Sequence, residues 1–150
     1  MEYKFRGWDA TGQKGWVYGF LSKGKGLDNK LPDFIYDRYM IAGYAVTEDS
    51  IGQYSGLKDK NGKEIYLGDI IYYGKDEKLY NVIFFNGMFY ASIEKFNKGV
   101  YGGFPLWSIC RDCAVIDNIY EYEQRKKYNQ VPCKARHREG EIKANDILQK

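Results

Sequence analysis

The three cysteines and the single histidine of this chain have the spacing that comes nearest to a metal site. Cys110 and Cys113 are two residues apart, and Cys133 precedes His137 by a short interval. Three thiolates and one imidazole suit the tetrahedral coordination of zinc. Against this, no glycine follows Cys113, and the strand predicted there would send Cys110 and Cys113 to opposite faces. We therefore expect free thiols, no bound metal and no other cofactor.

Three carboxylates close together in sequence are the remaining candidates for acid-base chemistry. Asp59, Glu64 and Asp69 fall in one stretch that also contains Asn61 and Gly62. Clustered carboxylates can transfer protons, as they do in hydrolases. Acidic residues beside glycine and asparagine are also ordinary turn formers, and we favour that structural role. Convergence of the three side chains in one pocket would distinguish the catalytic interpretation from the structural one.

Other catalytic and nucleotide-binding patterns are missing from the sequence. His137 is the only histidine, so it would have to act as the base for any serine or cysteine nucleophile. The glycines near the amino terminus do not form the Gly-x-x-x-x-Gly-Lys-Ser/Thr pattern of a phosphate loop. We therefore favour a binding protein over an enzyme, with no assigned catalytic residue.

Positive charge and aromatic rings are the two features that would suit a nucleic acid. The net charge is +3, and the excess of lysine and arginine lies in residues 125–150. The cations of this tail that could contact phosphates include Arg125, Lys126, Lys127, Arg136 and Arg138. Trp8, Trp16 and Trp107 could stack on bases, although burial in an aromatic core is the simpler interpretation. A solvated tail needs no partner, and we place a protein partner or self-association ahead of nucleic acid.

Composition predicts one mainly-β domain. The 150 residues include 15 Tyr, 8 Phe and 17 Gly but only 3 Pro, a balance that favours strands and tight turns. No apolar run is long enough to cross a membrane, and the start of the chain lacks the features of a signal peptide. We expect a cytoplasmic protein without disulfides and without membrane contact.

Turn signals and apolar runs outline the elements. Strands are predicted at residues 3–8, 15–21, 34–36, 39–42, 70–73 and 114–120, and residues 22–26 are predicted to be flexible. Asn86-Gly87 separates residues 79–85 from 88–93 and predicts a hairpin with a tight turn. Gly68 is expected to need a backbone conformation or a space that only glycine tolerates. Short strands and the lack of long helical periods favour an antiparallel barrel or roll.

Three blocks of sequence, in the same order, resemble the YopX-like proteins of bacteriophages and prophages. Residues 4–9 are similar to the opening block, residues 53–71 to the central signature, and residues 115–121 to the closing block, with Asp117 where glycine is commoner. The signature positions are Gln53, Gly56, Leu57, Asp59, Gly62, Glu64, Gly68 and Asp69. The resemblance implies a small SH3-like barrel, a phage origin and the cytoplasm of a bacterial host. It supplies no catalytic residues.

We therefore predict a mainly-β fold in which residues 1–124 form a YopX-like, antiparallel SH3-like barrel or roll with additional strands. Residues 125–150 should form a basic tail that is irregular or partly helical, anchored by its larger aliphatic residues, Val131, Ile142, Ile147 and Leu148. The expected function is that of a phage-encoded accessory protein that binds another protein. The alternative is a carboxylate-based hydrolase, with or without a divalent metal.

Overall fold

The computed structural model describes residues 3–27, 35–93 and 103–128. The chain divides into two compact units, Met1–Tyr54 and Ser55–Lys150. Strands predominate in the described residues, so the mainly-β prediction is confirmed. No helix in these residues is long and apolar enough to span a membrane.

The first unit is built around the central strand β1. Its elements are β1 Phe5–Trp8, β2 Trp16–Gly19, β3 Leu21–Leu27, β4 Ile35–Ile41, β5 Tyr44–Ala45, a 3₁₀ turn at Glu48–Ser50, and the beginning of β6 Gly52–Lys58. Strand β1 pairs antiparallel with β2 on one side and with β6 on the other. Val17, Ile41 and Val46 form the buried core of this unit. A Cβ on Gly7 would lie 2.8 Å from the Cβ of Val46, so only glycine allows this close approach.

The second unit is a five-stranded antiparallel sheet with two helices. After the end of β6 come β7 Glu64–Tyr66, β8 Asp69–Tyr73, β9 Lys78–Phe85, β10 Met88–Ser92, β11 Phe104–Pro105, α1 Leu106–Ile109, β12 Cys113–Asn118 and α2 Ile119–Tyr128. The sheet order is β11-β10-β9-β8-β12. One face carries the main core, which includes Tyr80, Val82 and Leu106. On the other face Ile70 packs with Tyr122 of α2.

The predicted hairpin at Asn86-Gly87 is confirmed. Strands β9 and β10 pair antiparallel, with Phe85 opposite Met88 and Phe84 opposite Phe89. Asn86 has φ 46° and Gly87 has φ 81°. Two positive φ values at the central residues are the requirement of a type I′ turn, whose twist matches that of the strands.

Several elements differ from the sequence-based expectations. Residues 22–26, expected to be flexible, lie in β3, which pairs with β4 over its whole length from Leu21 opposite Ile41 to Leu27 opposite Ile35. Strand β4 also runs without a break through Asp37-Arg38. Regular pairing with a neighbouring strand therefore overrides the weak strand preference of the glycines. Helices α1 and α2 were not predicted as elements of the β domain.

The sheets in the described part of the chain are open, and no closed barrel is found there. The predicted boundary between residues 124 and 125 falls inside α2. Most of the predicted tail, with its proposed anchors at 131, 142, 147 and 148, lies outside the described residues. The division into a domain and an anchored tail stays a prediction.

Candidate functional site

The signature residue Asp59 accepts hydrogen bonds from three backbone amides in the second unit. One carboxylate oxygen, Oδ1, accepts hydrogen bonds from the backbone amides of Asn61 at 2.8 Å and Lys63 at 2.9 Å. The other, Oδ2, accepts from the amide of Val115 in β12 at 2.9 Å. The amide of Lys60 donates in turn to the carbonyl of Cys113. The turn after β6 is thereby attached to the outer edge of β12, and we call this set of bonds the Asp59 clasp.

Gly68 forms a second junction, between the start of β8 and the start of α2. Its carbonyl accepts hydrogen bonds from the amide of Ile119 at 2.8 Å and from the Asn118 side chain at 3.1 Å. Gly68 has φ 82°, and a Cβ there would lie 3.3 Å from Cγ2 of Ile119. The expected special conformation of Gly68 is confirmed. Asn118 also accepts from the amide of Tyr120, which caps the first turn of α2.

Asp69 and Glu64 both bind Tyr66. Oδ2 of Asp69 accepts from the Tyr66 backbone amide at 2.7 Å, and Oε2 of Glu64 accepts from the Tyr66 hydroxyl at 2.6 Å. Asp69 is 1% exposed, so its carboxylate needs such donors. Within the described ranges no group of three His, Cys, Asp or Glu side chains is placed to hold a metal ion. The bonds of Asp59, Glu64 and Asp69 are those expected for the structural interpretation.

The remaining signature positions shape the backbone or pack in the core. Gln53 pairs with Phe5 across β1 and β6. Gly56 and Gly62 have positive φ values of 81°, and Leu57 packs against the main core of the second unit. These positions serve the local fold, as the turn-forming composition of the stretch predicts.

The structure places Cys110 and Cys113 together in the core of the second unit. Cys110 is the C-cap residue that follows α1, Cys113 begins β12, and both belong to the main core. The expectation that they face opposite sides of a strand is wrong, because Cys110 is not on the strand. Burial, with a contribution from the Asp59 charge, raises the pKa of the Cys113 thiol to about 12, which keeps it neutral.

A zinc site would also require Cys133 and His137, which lie outside the described residues. We still predict no tightly bound zinc in protein purified without added metal. Elemental analysis tests this directly. One equivalent of zinc per chain, lost in Cys133→Ser, would contradict the prediction.

The three tryptophans considered for stacking on bases differ in how far they are buried. Trp8 and Trp16 pack edge to face with ring centres 5.5 Å apart, and both are partly buried. Trp107, on α1, is 65% exposed, so the expectation that it fills the core is wrong. A tryptophan in a short helix can leave the core when its aliphatic neighbours Leu106 and Ile109 supply the buried face.

Two of the three described cations of the tail have partners on or beside α2. Arg125 forms an ion pair with Asp117, whose side chain is almost fully buried. Lys126 lies over the ring of Tyr122, with its Nζ 4.6 Å from the ring centre. Lys127 is exposed, and Arg136 and Arg138 lie outside the described residues.

The end of the β9–β10 hairpin is a feature that sequence analysis did not identify as functional. Phe84 is 51% exposed, Phe85 41% and Met88 42%. We call residues 84–89 the hairpin tip. A signal for it was present in the sequence, because residues 79–93 contain no charged side chain. Strands with a solvent-facing surface usually alternate apolar and polar residues, and this hairpin does not.

Comparison with known proteins identifies a family and a related crystal structure. The model of the YopX family, described as "YopX protein", matches residues 4–125. No curated protein matches the sequence. The crystal structure of protein EF1440 from Enterococcus faecalis is similar at 26% identity with a TM-score of 0.46, over 83% of this chain and 98% of that one. Since the family match covers most of the sequence, this chain belongs to the YopX family.

Proposed function

We propose that this YopX-family chain is a phage-encoded accessory protein that acts by binding another protein in the cytoplasm of the bacterial host. The observation that carries the proposal is the exposure of three large apolar side chains at one end of the β9–β10 hairpin, Phe84, Phe85 and Met88. Apolar patches of this kind on a folded protein are typical of interaction sites. Aromatic and methionine side chains are also those enriched in protein interfaces.

The carboxylates of the signature favour binding over hydrolysis. Both oxygens of Asp59 are occupied by backbone amides, and Asp69 accepts a hydrogen bond from the backbone inside the fold. A general base or a metal ligand needs an oxygen that is open to substrate or cation. These residues instead have the partners of structural groups.

A protein partner is favoured over nucleic acid by the chemistry of the exposed groups. Phosphate binding depends on available lysine and arginine side chains. Of the three described tail cations, Arg125 is paired with Asp117 and Lys126 lies over the ring of Tyr122, which leaves Lys127 as the exposed one without such a contact. The exposed part of the hairpin presents aromatic rings and a thioether, and the removal of such groups from water on binding is favourable.

The test is affinity capture with tagged full-length protein from host lysate, followed by reconstitution of the complex from purified components. We expect a defined host or phage protein that remains bound after nuclease treatment. Loss of the complex on nuclease treatment would favour nucleic acid instead. Metal-dependent hydrolysis that disappears in a folded Glu64→Gln variant would favour the hydrolase alternative.

A further inference from the structure

We infer that the hairpin tip is a plug that enters a cleft of the partner protein, a cleft with apolar walls on two sides and hydrogen-bonding groups at its floor. This inference rests on the binding function proposed above and specifies the surface that performs it. It follows from three properties of residues 84–89, namely apolar side chains on both faces, the lack of charge, and a polar apex.

Both faces of the hairpin tip are apolar. Phe84 and Phe89 are cross-strand partners, and their rings meet at 5.0 Å with an interplanar angle of 63°. Phe85 and Met88 are the next cross-strand pair and therefore point to the opposite face. Phe84, Phe85 and Met88 are all at least two-fifths exposed. A flat partner surface would cover one face and leave the other in water, whereas a cleft covers both.

The lack of charged side chains in the hairpin further restricts the chemistry of the partner. No lysine, arginine, aspartate or glutamate occurs between Leu79 and Ile93. The tip therefore has nothing with which to neutralise phosphates, and it would leave a buried charge on a partner unpaired. The matching walls are uncharged and apolar, and binding should be almost independent of salt.

The polar apex of the hairpin tip favours a protein cleft over a lipid bilayer as the binding surface. Asn86 and Gly87 are exposed at the end of the turn, where they present an amide side chain and backbone groups. In hydrocarbon these groups would lose their hydrogen bonds to water without replacement. The floor of a protein cleft can supply donors and acceptors. Two residues of each strand span roughly 7 Å, which sets the depth of the apolar walls.

A second copy of the same chain does not satisfy this geometry by tip-to-tip contact. A two-fold symmetric contact between two tips buries the same face of each. Either the Phe84 face or the Phe85 face would then remain in water. The occupant that covers both faces at once is a cleft in a different surface, and we assign it to a separate protein.

The experiment places a photo-crosslinking phenylalanine analogue at position 84 or at position 85 of the full-length protein, in cells of the bacterial host. Position 107 is the control, because Trp107 is exposed in the same unit but lies on α1. We expect the same partner protein to be crosslinked from 84 and from 85, and not from 107. The analogue keeps an aromatic ring at each site, so the fold should be retained.

Affinity for the identified partner is then measured with single substitutions on each face. We expect Phe84→Ser and Met88→Ser each to weaken binding at least about tenfold, as buried interface anchors do. Trp107→Ser should leave the affinity within about twofold. Thermal unfolding of each variant shows whether the fold is kept. The wild-type affinity should change little between low salt and about 0.5 M salt.

The outcomes separate this inference from the proposed function. Crosslinking from only one of the two positions would contradict the cleft and indicate a flat contact that covers one face of the tip. Crosslinks between two copies, or flotation with phosphatidylethanolamine–phosphatidylglycerol vesicles that both tip substitutions abolish, would also overturn the inference. If Phe84→Ser and Met88→Ser both bind the partner with full affinity, the hairpin tip is not the binding surface, but the proposed binding function stands. Failure of the wild-type chain to capture any protein would reject both.

Discussion

Asp59 shows how one buried carboxylate can join segments that are far apart in sequence. It is 6% exposed, and its two oxygens accept from three backbone amides. The Val115 amide lies 56 residues further along the chain. A buried charge is tolerated only with such partners. Removing the carboxylate would leave the amides that donate to it without a hydrogen-bond acceptor.

The first prediction concerns Asp59→Asn. An asparagine offers one acceptor oxygen and places an NH₂ group where a second acceptor is required, so at least one backbone amide loses its bond. We expect a loss of about 1–3 kcal/mol in the free energy of unfolding, measured by denaturant titration. Asp49→Asn is the matched control, because Asp49 is exposed in the 3₁₀ turn. Equal stability of the two variants would show that the Asp59 clasp is dispensable.

The second prediction concerns the reactivity of Cys113. Its thiol is fully buried and its pKa is raised to about 12 by burial, so the nucleophilic thiolate is almost absent at neutral pH. In a Cys133→Ser background, native protein should not be alkylated at Cys113 by iodoacetamide near pH 8. Peptide mass mapping reports a label on Cys113 separately from one on Cys110, and unfolded protein is the positive control. Rapid labelling of Cys113 in the native state would contradict the raised pKa.

At the scale of elements, Gly68 connects β8 with α2. Its backbone occupies the left-handed region, and its would-be Cβ meets Ile119 at the start of the helix. Its amide donates to the carbonyl of Val82 in β9, and its carbonyl accepts from Ile119. Three elements therefore depend on one residue that has no side chain.

The third prediction compares Gly68→Ala with Gly62→Ala. Both glycines have φ near 80°, but a Cβ on Gly62 would meet nothing within 4 Å. Gly62→Ala should cost about 1 kcal/mol through backbone strain alone. Gly68→Ala should cost more, because the contact with Ile119 adds crowding. Chemical unfolding of both variants gives the difference. A smaller loss at position 68 than at position 62 would show that the helix adjusts freely.

At the scale of the whole molecule, the chain passes from the first unit to the second within a single strand. Strand β6 pairs with β1 through Gly52 and Gln53 and continues beside β7. Helix α2 closes the described part of the second unit, where Arg125 joins Asp117 at the bulge of β12. Residues after Tyr128 lie outside the described residues.

The fourth prediction concerns these last residues. The tail should be anchored through the aliphatic side chains Val131, Ile142, Ile147 and Leu148, because they are its larger apolar groups. A chain that ends at Tyr128 should therefore melt at a lower temperature than the full chain. If the anchoring surface belongs to a second copy, its apparent mass in solution should fall as well.

A chain that ends at Gln124 is the comparison, since it also loses Arg125 and so leaves Asp117 without its ion pair. We expect it to be less stable than the chain that ends at Tyr128. Unchanged melting and unchanged mass on removal of residues 129–150 would show a passive extension. Its positive charge would then be the better argument for nucleic-acid binding.

Features with local causes were the ones that sequence analysis predicted well. The turn at Asn86-Gly87 depends on two residues that tolerate positive φ, and the conformation of Gly68 depends on the same property. Strand β3 was missed because Gly24 and Gly26 have little strand preference of their own. Its order comes from complete pairing with β4. Trp107 was misplaced because the short helix α1 was not predicted.

The amino-acid sequence alone determined the mainly-β class, the hairpin, the turn-forming role of the signature and the family of the chain. The first three properties depend on preferences of single residues and their nearest neighbours, and the family resemblance rests on three blocks of sequence in the same order. Only the tertiary structure decided that Asp59 reaches Val115, that Cys110 and Cys113 share one core, and that both faces of the hairpin tip meet solvent. Contacts between distant segments depend on how all the elements pack, and short-range preferences do not encode that packing.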